Sequence, residues 1–438
     1  MSKTRNLKSM VATLACVGLA ASLTACGSTP SATTPNGGDG GQTTLSFVYM
    51  GTPEQQESWN KLFAEFEKQN PNIKLKASGI GVDNWGEFFN KVSTQIAGGD
   101  VPDMVQVATE GQLMFAAKGL LAPLDDFIAK DKAIIDEYYA DVDPNLVEWA
   151  KKYGSTDGKT YYLPGEFNTM ALWCNTDVLG TAGVTLPADG AWTWDDFTAA
   201  AKSVKDSTGA FMYAASEGYF TGLMPWITTA GGSTLNDDWT QPTFDSPPVV
   251  DALTYLRGLV ESGYSPKPGG SFDAYTQFAQ GKLACFGGGR WPIIQMRDMN
   301  MVDKIQMVSF PTKAGKGSPI GTNGYPIMKD SKNKEAAWEF AKFLISKEGS
   351  AFFAELGGTI VPARRSVANS DAFLANSPKG TEALYEAVSF ATVIPSPDQG
   401  AQVQLAIEDG ALQVLAGNVS PADGAKQTQE KLLPLVTK

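Results

Sequence analysis

The stretch that decides the fold is "LSFVYMGTPEQQESWNKLFAEFEKQNPNIKLKA", residues 45–77. Residues 45–50 are an apolar run rich in aromatic and β-branched side chains, which reads as a strand. Thr52 and Pro53 then supply the N-cap and first-turn proline of a helix. Trp59, Leu62, Phe63 and Phe66 fall at i, i+3, i+4 and i+7, one face of that helix. Asn70-Pro71 stops it, because the residue before a proline is pushed out of helical geometry. "IKLKA" (73–77) is a second strand. Asp83 opens a helix with Trp85, Phe88, Phe89, Val92 and Ile96 on its inner face, closed by Gly98-Gly99. "DMVQVA" (103–108) is a third strand, and a short helix follows. This alternation is that of an α/β chain, a parallel sheet covered by helices.

The pattern then restarts. "MALWCN" (170–175) is a strand, "TWDDFTAAAKSVKD" (193–206) a capped amphipathic helix and "AFMYAA" (210–215) a strand. Helices are expected at 248–262 and 272–280, strands at "KLACFGG" and "KIQMVSF", and a strong helix at 332–346. From Asp371 onward the sequence reads as almost wholly helical, apart from 393–400. The 438 residues suffice for two to three domains. Two α/β lobes with no linker between them suggest a chain that crosses from one to the other more than once.

Ahead of the first strand the sequence is of another kind. Lys3, Arg5 and Lys8 precede the apolar "VATLACVGLAASL", the parts of a secretory signal peptide rather than a membrane span, which needs about 20 apolar residues. Leu23-Thr24-Ala25-Cys26 is similar to a bacterial lipobox, which implies cleavage before Cys26 and lipidation of its thiol. Residues 26–43 are a polar tether with a mean span of roughly 20–25 Å. Losing 1–25, with three basic residues and no acid, takes the net charge from −12 to −15. Such a surface argues against nucleic acid or anionic lipid as partners. Cys174 and Cys285 remain, each in an apolar strand. Buried free thiols are favoured there over a disulfide, which an exported chain could form.

Several chemistries are excluded. The chain has no histidine, hence no Ser-His-Asp triad, no HExxH zinc site and no histidine base. No phosphate-binding GxxxxGK[ST] loop and no CxxC occur. "DVDPN" (141–145) hints at calcium spacing but lacks the glycine and terminal glutamate of a loop site, so solvated acids are expected there. No cofactor and no metal are implied.

Six segments, in order, carry a family resemblance: "AGGDVPDMVQVATEGQLMFAAKGLLAPLDDFI" (97–128), "GKTYYLPGEFNTMALWCNTDVL" (158–179), "TWDDF" (193–197), "FAQGKLACFGGGRW" (278–291), "GYPIMKDSKNKEAAWEFAKFLISKEG" (324–349) and "VPARRSV" (361–367). From about Leu45 to the end the chain resembles the extracellular solute-binding proteins of bacterial sugar ABC transporters, the maltose-binding-protein-like group. It departs from them at Cys174, usually Tyr, and Cys285, usually Met. The resemblance implies a two-lobed periplasmic-binding-protein fold, class II type, with three crossing segments and a ligand cleft between the lobes. Carried over, one lobe takes 44–165 and 313–358 and the other 166–312 and 359–438, with hinges near Gly165, 309–312 and 359–362. It further implies a monomeric receptor, lipid-anchored outside the cell membrane, that binds a sugar or oligosaccharide and delivers it to permease subunits. A lipid-anchored glycoside hydrolase, a structural or adhesive surface lipoprotein and a receptor for a non-sugar solute are the alternatives.

A sugar needs planar aromatic surfaces for its C–H faces and polar groups for its hydroxyl rim. Trp291, after Gly287 to Gly289 at a strand end, is the first stacking candidate, with Arg290 beside it as a donor. "SEGYFTGLMPW" (216–226) resembles a ligand loop of maltose-binding protein and offers Tyr219, Phe220 and Trp226. Thr109 and Glu110, and Thr52 and Glu54, stand just past strand ends, where open α/β sheets bind ligands. Glu166 and Asn168 belong to the first crossing, at the cleft floor. Asn323 opens a strand near the third lobe junction. Arg364 and Asp398 lie in the last crossing and the "SPDQG" loop.

Overall fold

The computed structural model describes residues 42–436, apart from 83, 188–191, 271, 357 and 376 and the side chain of Glu54. The signal segment, Cys26 and most of the tether therefore lie outside the described residues, as do Asp83 and the Glu54 side chain.

The helix Pro53–Gln69 forms as its sequence dictates. Thr52 accepts from the Gln55 amide, and the Gln55 side chain accepts from the Thr52 amide at 2.9 Å, a reciprocal cap. Trp59, Leu62, Phe63 and Phe66 are all buried. They pack on Phe47 and Tyr49 of the strand Thr43–Met50, with ring centroids 5.0–6.0 Å apart for the Trp59 and Phe63 pairs. That strand is the middle of a parallel sheet, between Ile73–Ile80 and Met104–Val105. Asn84 caps the next helix, Trp85–Ala97, through the Glu87 amide at 2.9 Å.

The strand expected over 103–108 is two. Val105 still pairs with Val48, and the Gln106 amide donates to the Val48 carbonyl. Val107 and Ala108 then pair antiparallel with Gly324 and Asn323 of Ser318–Gly324, in a different sheet. Gln106 is the switch, its Oε1 accepting from the Met50 amide at 3.1 Å. This second sheet runs Val361–Pro362, Glu166–Thr169, Ser318–Gly324, Ala391–Val393. The third runs Phe211–Tyr213, Leu283–Gly288, Ala171–Asn175, Ile305–Val308. Helices Gly400–Leu415 and Pro421–Val436 pack on each other and on Pro247–Glu261.

Two expectations are corrected. Cys174 and Cys285 are bonded as a disulfide, because the antiparallel register sets them directly opposite, with Cα atoms 4.2 Å apart. Among the described residues, the region after Asp371 holds the short helices Asp371–Leu374 and Ala383–Glu386 and the 3-10 turn Ala387–Phe390 before the strand Ala391–Val393. Pro378, and Gly380 at φ +86°, break it. The acids of "DVDPN" are also used structurally: Asp141 accepts from Arg364 and Ser366, and Asp143 caps Pro144–Tyr153.

Candidate functional site

All three sheets direct their loops at one cavity of about 540 Å³. One wall comes from the starts of the first two helices: Thr52, Gln55, Trp59, Asn84 and Trp85. The floor is Gln106, Asn168, Gly321 and Asn323. Tyr219, Phe220, Trp291, Gln404 and Glu408 face the first wall, and Phe353 and 358–360 close an end.

Trp291 is half-buried and its indole N–H donates to the Tyr275 hydroxyl at 3.2 Å. Gly289 is what lets it sit there: a Cβ at 289 would lie 2.3 Å from the indole and 2.7 Å from Asn168 Oδ1. The glycine thus serves a close side-chain approach. Phe220 is half-buried beside Trp291, ring centroids 6.2 Å apart and planes at 50°. It rides on one turn of π-helix, Tyr219–Leu223, a form frequent at functional sites. Tyr219 lines the cavity by its ring, while its hydroxyl is held by Thr234 at 2.6 Å and the Pro395 carbonyl at 3.2 Å. On the opposite wall, Trp85 stacks on Phe89 at 20° and Trp59 meets Phe353 with centroids 4.9 Å apart.

Among the described lining residues there is no Lys or Arg. Two carboxyls are among the described lining residues. Glu408 Oε1 accepts from the Tyr219 amide at 3.0 Å and from Gln404 Nε2 at 2.8 Å. Glu110 stands in the first turn of Thr109–Ala117, and burial pushes its pKa up to about 7. Glu166 is not in the lining but its strand neighbours are. Tyr325 donates to its Oε1 at 2.6 Å, its Oε2 has no partner, and burial raises it to about 7 against the pull of the Tyr325 and Asn323 hydrogen bonds.

The cavity brings together Trp291, Tyr219, Phe220, Glu110, Thr52, Asn168 and Asn323, although Asn323 stands one residue before the end of its strand rather than opening it. Six other residues have different work or another place. Thr109 is buried against Thr322, accepting from its amide at 2.8 Å. Trp226 is 0% exposed among the rings of Trp194, Phe197, Tyr213, Tyr255 and Phe310. Arg290, 1% exposed, turns inward to the carbonyls of Gly358 and Phe373 and to Ser377 at 3.0–3.1 Å, over the Phe373 ring. Burial lowers its pKa to about 9, with the nearby Arg297 charge adding to the effect. Arg364, 3% exposed, binds the Ile345 carbonyl at 2.6 Å, Glu137 at 2.8 Å and Asp141 at 3.2 Å. Glu166 and Asp398 lie outside the lining, Asp398 in the loop before Gly400–Leu415.

Trp85, Asn84, Gln106, Phe353, Gln404 and Glu408 line the cavity without having been singled out. The strand-end argument applied to Thr52 holds equally for Asn84 and Trp85, which follow Ile73–Ile80. Gln404 and Glu408 carry only an i, i+4 polar pairing on a helix that also holds Gln402, Asp409 and Gln413.

Along most of its length the chain is similar to known proteins. It matches the description "bacterial extracellular solute-binding protein" over residues 52–351. The arabinooligosaccharide-binding protein of Bacillus subtilis is 26% identical over 324 residues, 71% of this chain and 71% of its own. An ABC substrate-binding protein of Listeria monocytogenes, solved in complex with cycloalternan, superposes with a TM-score of 0.79 at 27% identity, covering 91% of this chain and 100% of that one. An ABC transporter solute-binding protein of Thermotoga lettingae, bound with α-D-tagatose, gives 0.76 at 26% identity, covering 90% and 100%. With this two-lobed α/β fold, and a family match spanning more than half of its residues, the chain belongs to the bacterial extracellular solute-binding proteins.

Proposed function

We propose that this protein is the sugar-binding receptor of an ABC importer, one that captures a sugar or oligosaccharide between its lobes and hands it to the permease. The observation that carries this is the lining itself. Trp59, Trp85, Tyr219, Phe220, Trp291 and Phe353 offer ring surfaces, and amides and carboxyls stand between them with no cation among the described lining residues. Aromatic faces take the C–H faces of a pyranose or furanose, while Gln55, Asn168, Asn323, Gln404, Glu110 and Glu408 meet its hydroxyl rim. The absence of basic side chains from the described lining disfavours phosphorylated and acidic ligands. The sugars named for its relatives support the same reading.

The lobes in this reading are 44–165 with 313–358, and 166–312 with 359–438. A ligand that touches both favours the closed state by its extra contacts there. The leader 1–25 is removed, Cys26 carries lipid, and the tether holds the receptor outside the membrane as a monomer. Intact mass of the native protein should show a lipidated N-terminal Cys26, and an unmodified cysteine overturns the anchor.

The test of function is calorimetric titration against a panel of sugars, after a thermal-shift screen that exploits stabilisation by bound ligand. We expect stoichiometric binding without turnover, weakened at least tenfold by Trp291→Ala. Steady release of sugar from an oligosaccharide over hours would instead identify a glycosidase. Unchanged affinity in Trp291→Ala would remove the stacking role.

A further inference from the structure

Away from the cleft, the backbone at Trp239 is unusual. Its φ is +57°, in a region that favours glycine and is uncommon for a bulky side chain. The residue is 4% exposed, although Asp237, Asp238 and Thr240 around it are exposed. Its ring stacks on that of Tyr153, with centroids 4.2 Å apart and planes at 12°. The loop that presents it is held at several points. Asn236 Oδ1 accepts from the Thr240 and Gln241 amides at 2.8 and 3.0 Å. Gln429 of the helix Pro421–Val436 donates to the Pro242 carbonyl and accepts from the Phe244 amide, both at 2.7 Å. Across the contact, the pKa of Lys152 is raised first by a hydrogen bond to Tyr153 and then by the charges of Asp238 and Asp237 on this loop.

The stack stands behind the second sheet as seen from the cavity. Asn168, Gly321 and Asn323 face the cavity. Phe167 and Thr169 alternate with Asn168 and so point to the other face. There Phe167 packs on Tyr385 and Thr169 donates to the Leu384 carbonyl. The turn Ala387–Phe390 continues Ala383–Glu386 on that face and packs against the helix Pro144–Tyr153, which ends in Tyr153. Neither Tyr153 nor Trp239 is among the described lining residues. In the sugar-receptor reading Tyr153 belongs to one lobe and Trp239 to the other. Rotation about strands that lie between cavity and stack brings the cavity walls together only by drawing the two rings apart. Resting on that reading, we propose that the Tyr153–Trp239 stack is a latch behind the crossing strands, one that favours the open lobes and holds sugar affinity below what the cleft contacts alone would give.

The experiment titrates the full-length protein, Tyr153→Ala, Trp239→Gly and the double variant with malto-, arabino-, xylo-, cello- and galacto-oligosaccharides by calorimetry. Glycine suits the φ of position 239, so that variant removes the ring without straining the backbone. Each single variant should bind sugar about three- to tenfold more tightly, the factor that one stacked aromatic pair supplies. The double variant should bind no more tightly than either single, because both changes break one contact. Tyr153→Phe, which keeps the ring, should stay within about twofold of wild type. Damage to the fold weakens binding, so a gain separates the latch from a merely structural contact. Should Trp239→Gly fail to fold, Tyr153→Ala at its half-buried position reads the same effect. Affinity unchanged or weakened in the single variants, or gains that add in the double, overturns the latch and leaves the receptor standing. No binding of any series to wild type overturns both.

Discussion

Replacing Cys174 and Cys285 together by alanine should destabilise the fold by about 4–5 kcal/mol. Their bond joins residues 111 apart in sequence, across adjacent antiparallel strands of the third sheet. In the chain-entropy description a closed loop of that length removes about 16 cal/mol/K from the unfolded chain, or about 4.8 kcal/mol at 25 °C. Both side chains are fully buried, and alanine leaves no polar atom behind, so lost packing adds to the effect. An unfolding entropy of roughly 2.1 cal/mol/K per residue gives about 0.8 kcal/mol/K over the ordered chain, and hence a fall in Tm of about 6 °C. Circular-dichroism melts of wild type and double variant, each with and without a phosphine reductant, measure it. Reductant should lower the wild-type Tm toward that of the variant and leave the variant unmoved. Wild type and variant melting within 1 °C of each other would refute the cross-link argument.

Two further outcomes follow from buried charges. Burial raises Glu166 to about 7 against an ordinary value of 4.5, so the folded state holds its proton more tightly than the unfolded. That stabilisation is complete below about 4.5 and is lost as pH rises through about 7. Tm should fall between pH 5 and 8, and Glu166→Gln, which keeps an acceptor for Tyr325, should flatten part of the fall; Glu110, shifted the same way, supplies another part. A variant whose Tm–pH curve runs parallel to wild type would sink the assignment. Arg290→Met removes the donor from the Gly358 and Phe373 carbonyls and should cost about 2–4 kcal/mol, read by urea unfolding. Sugar affinity per folded molecule should stay within threefold of wild type; a tenfold loss at unchanged stability would return the guanidinium to the ligand.

The elements that were legible in the sequence are those whose signals are local. Thr52-Pro53 and Asn70-Pro71 bracket the first helix because caps and prolines act on their own turn. The split of 103–108 was not legible, since it depends on which distant strand Val107 and Ala108 find as partner. The disulfide was hidden for the same reason: register between 171–175 and 283–288 is a tertiary fact. Strand-end position and glycine context pointed to Trp291, Glu110 and Thr52, and a loop resemblance to Phe220, all of which line the cavity. Polarity misled at Thr109 and the two arginines, whose hydrogen-bonding groups turn inward. Helical periodicity hid Trp85: it lies on the same face as Phe89, yet at the first turn that face emerges into the cavity.

The inward turn of those arginines ties the cleft to the proposed third crossing, 359–362. Arg290 grips the carbonyl of Gly358 just before it, and Arg364 just after it binds Glu137 and Asp141 of the neighbouring Lys132–Ala140 region. A guanidinium suits both places, being planar and able to serve several acceptors at fixed angles. Arg290 is also the residue before Trp291, and its amide donates to Asn168 Oδ1 at 2.8 Å. Asn168 lies on the floor of the cavity, in the strand Glu166–Thr169. The stacking platform, a floor amide and the edge of the third crossing are therefore one hydrogen-bonded unit.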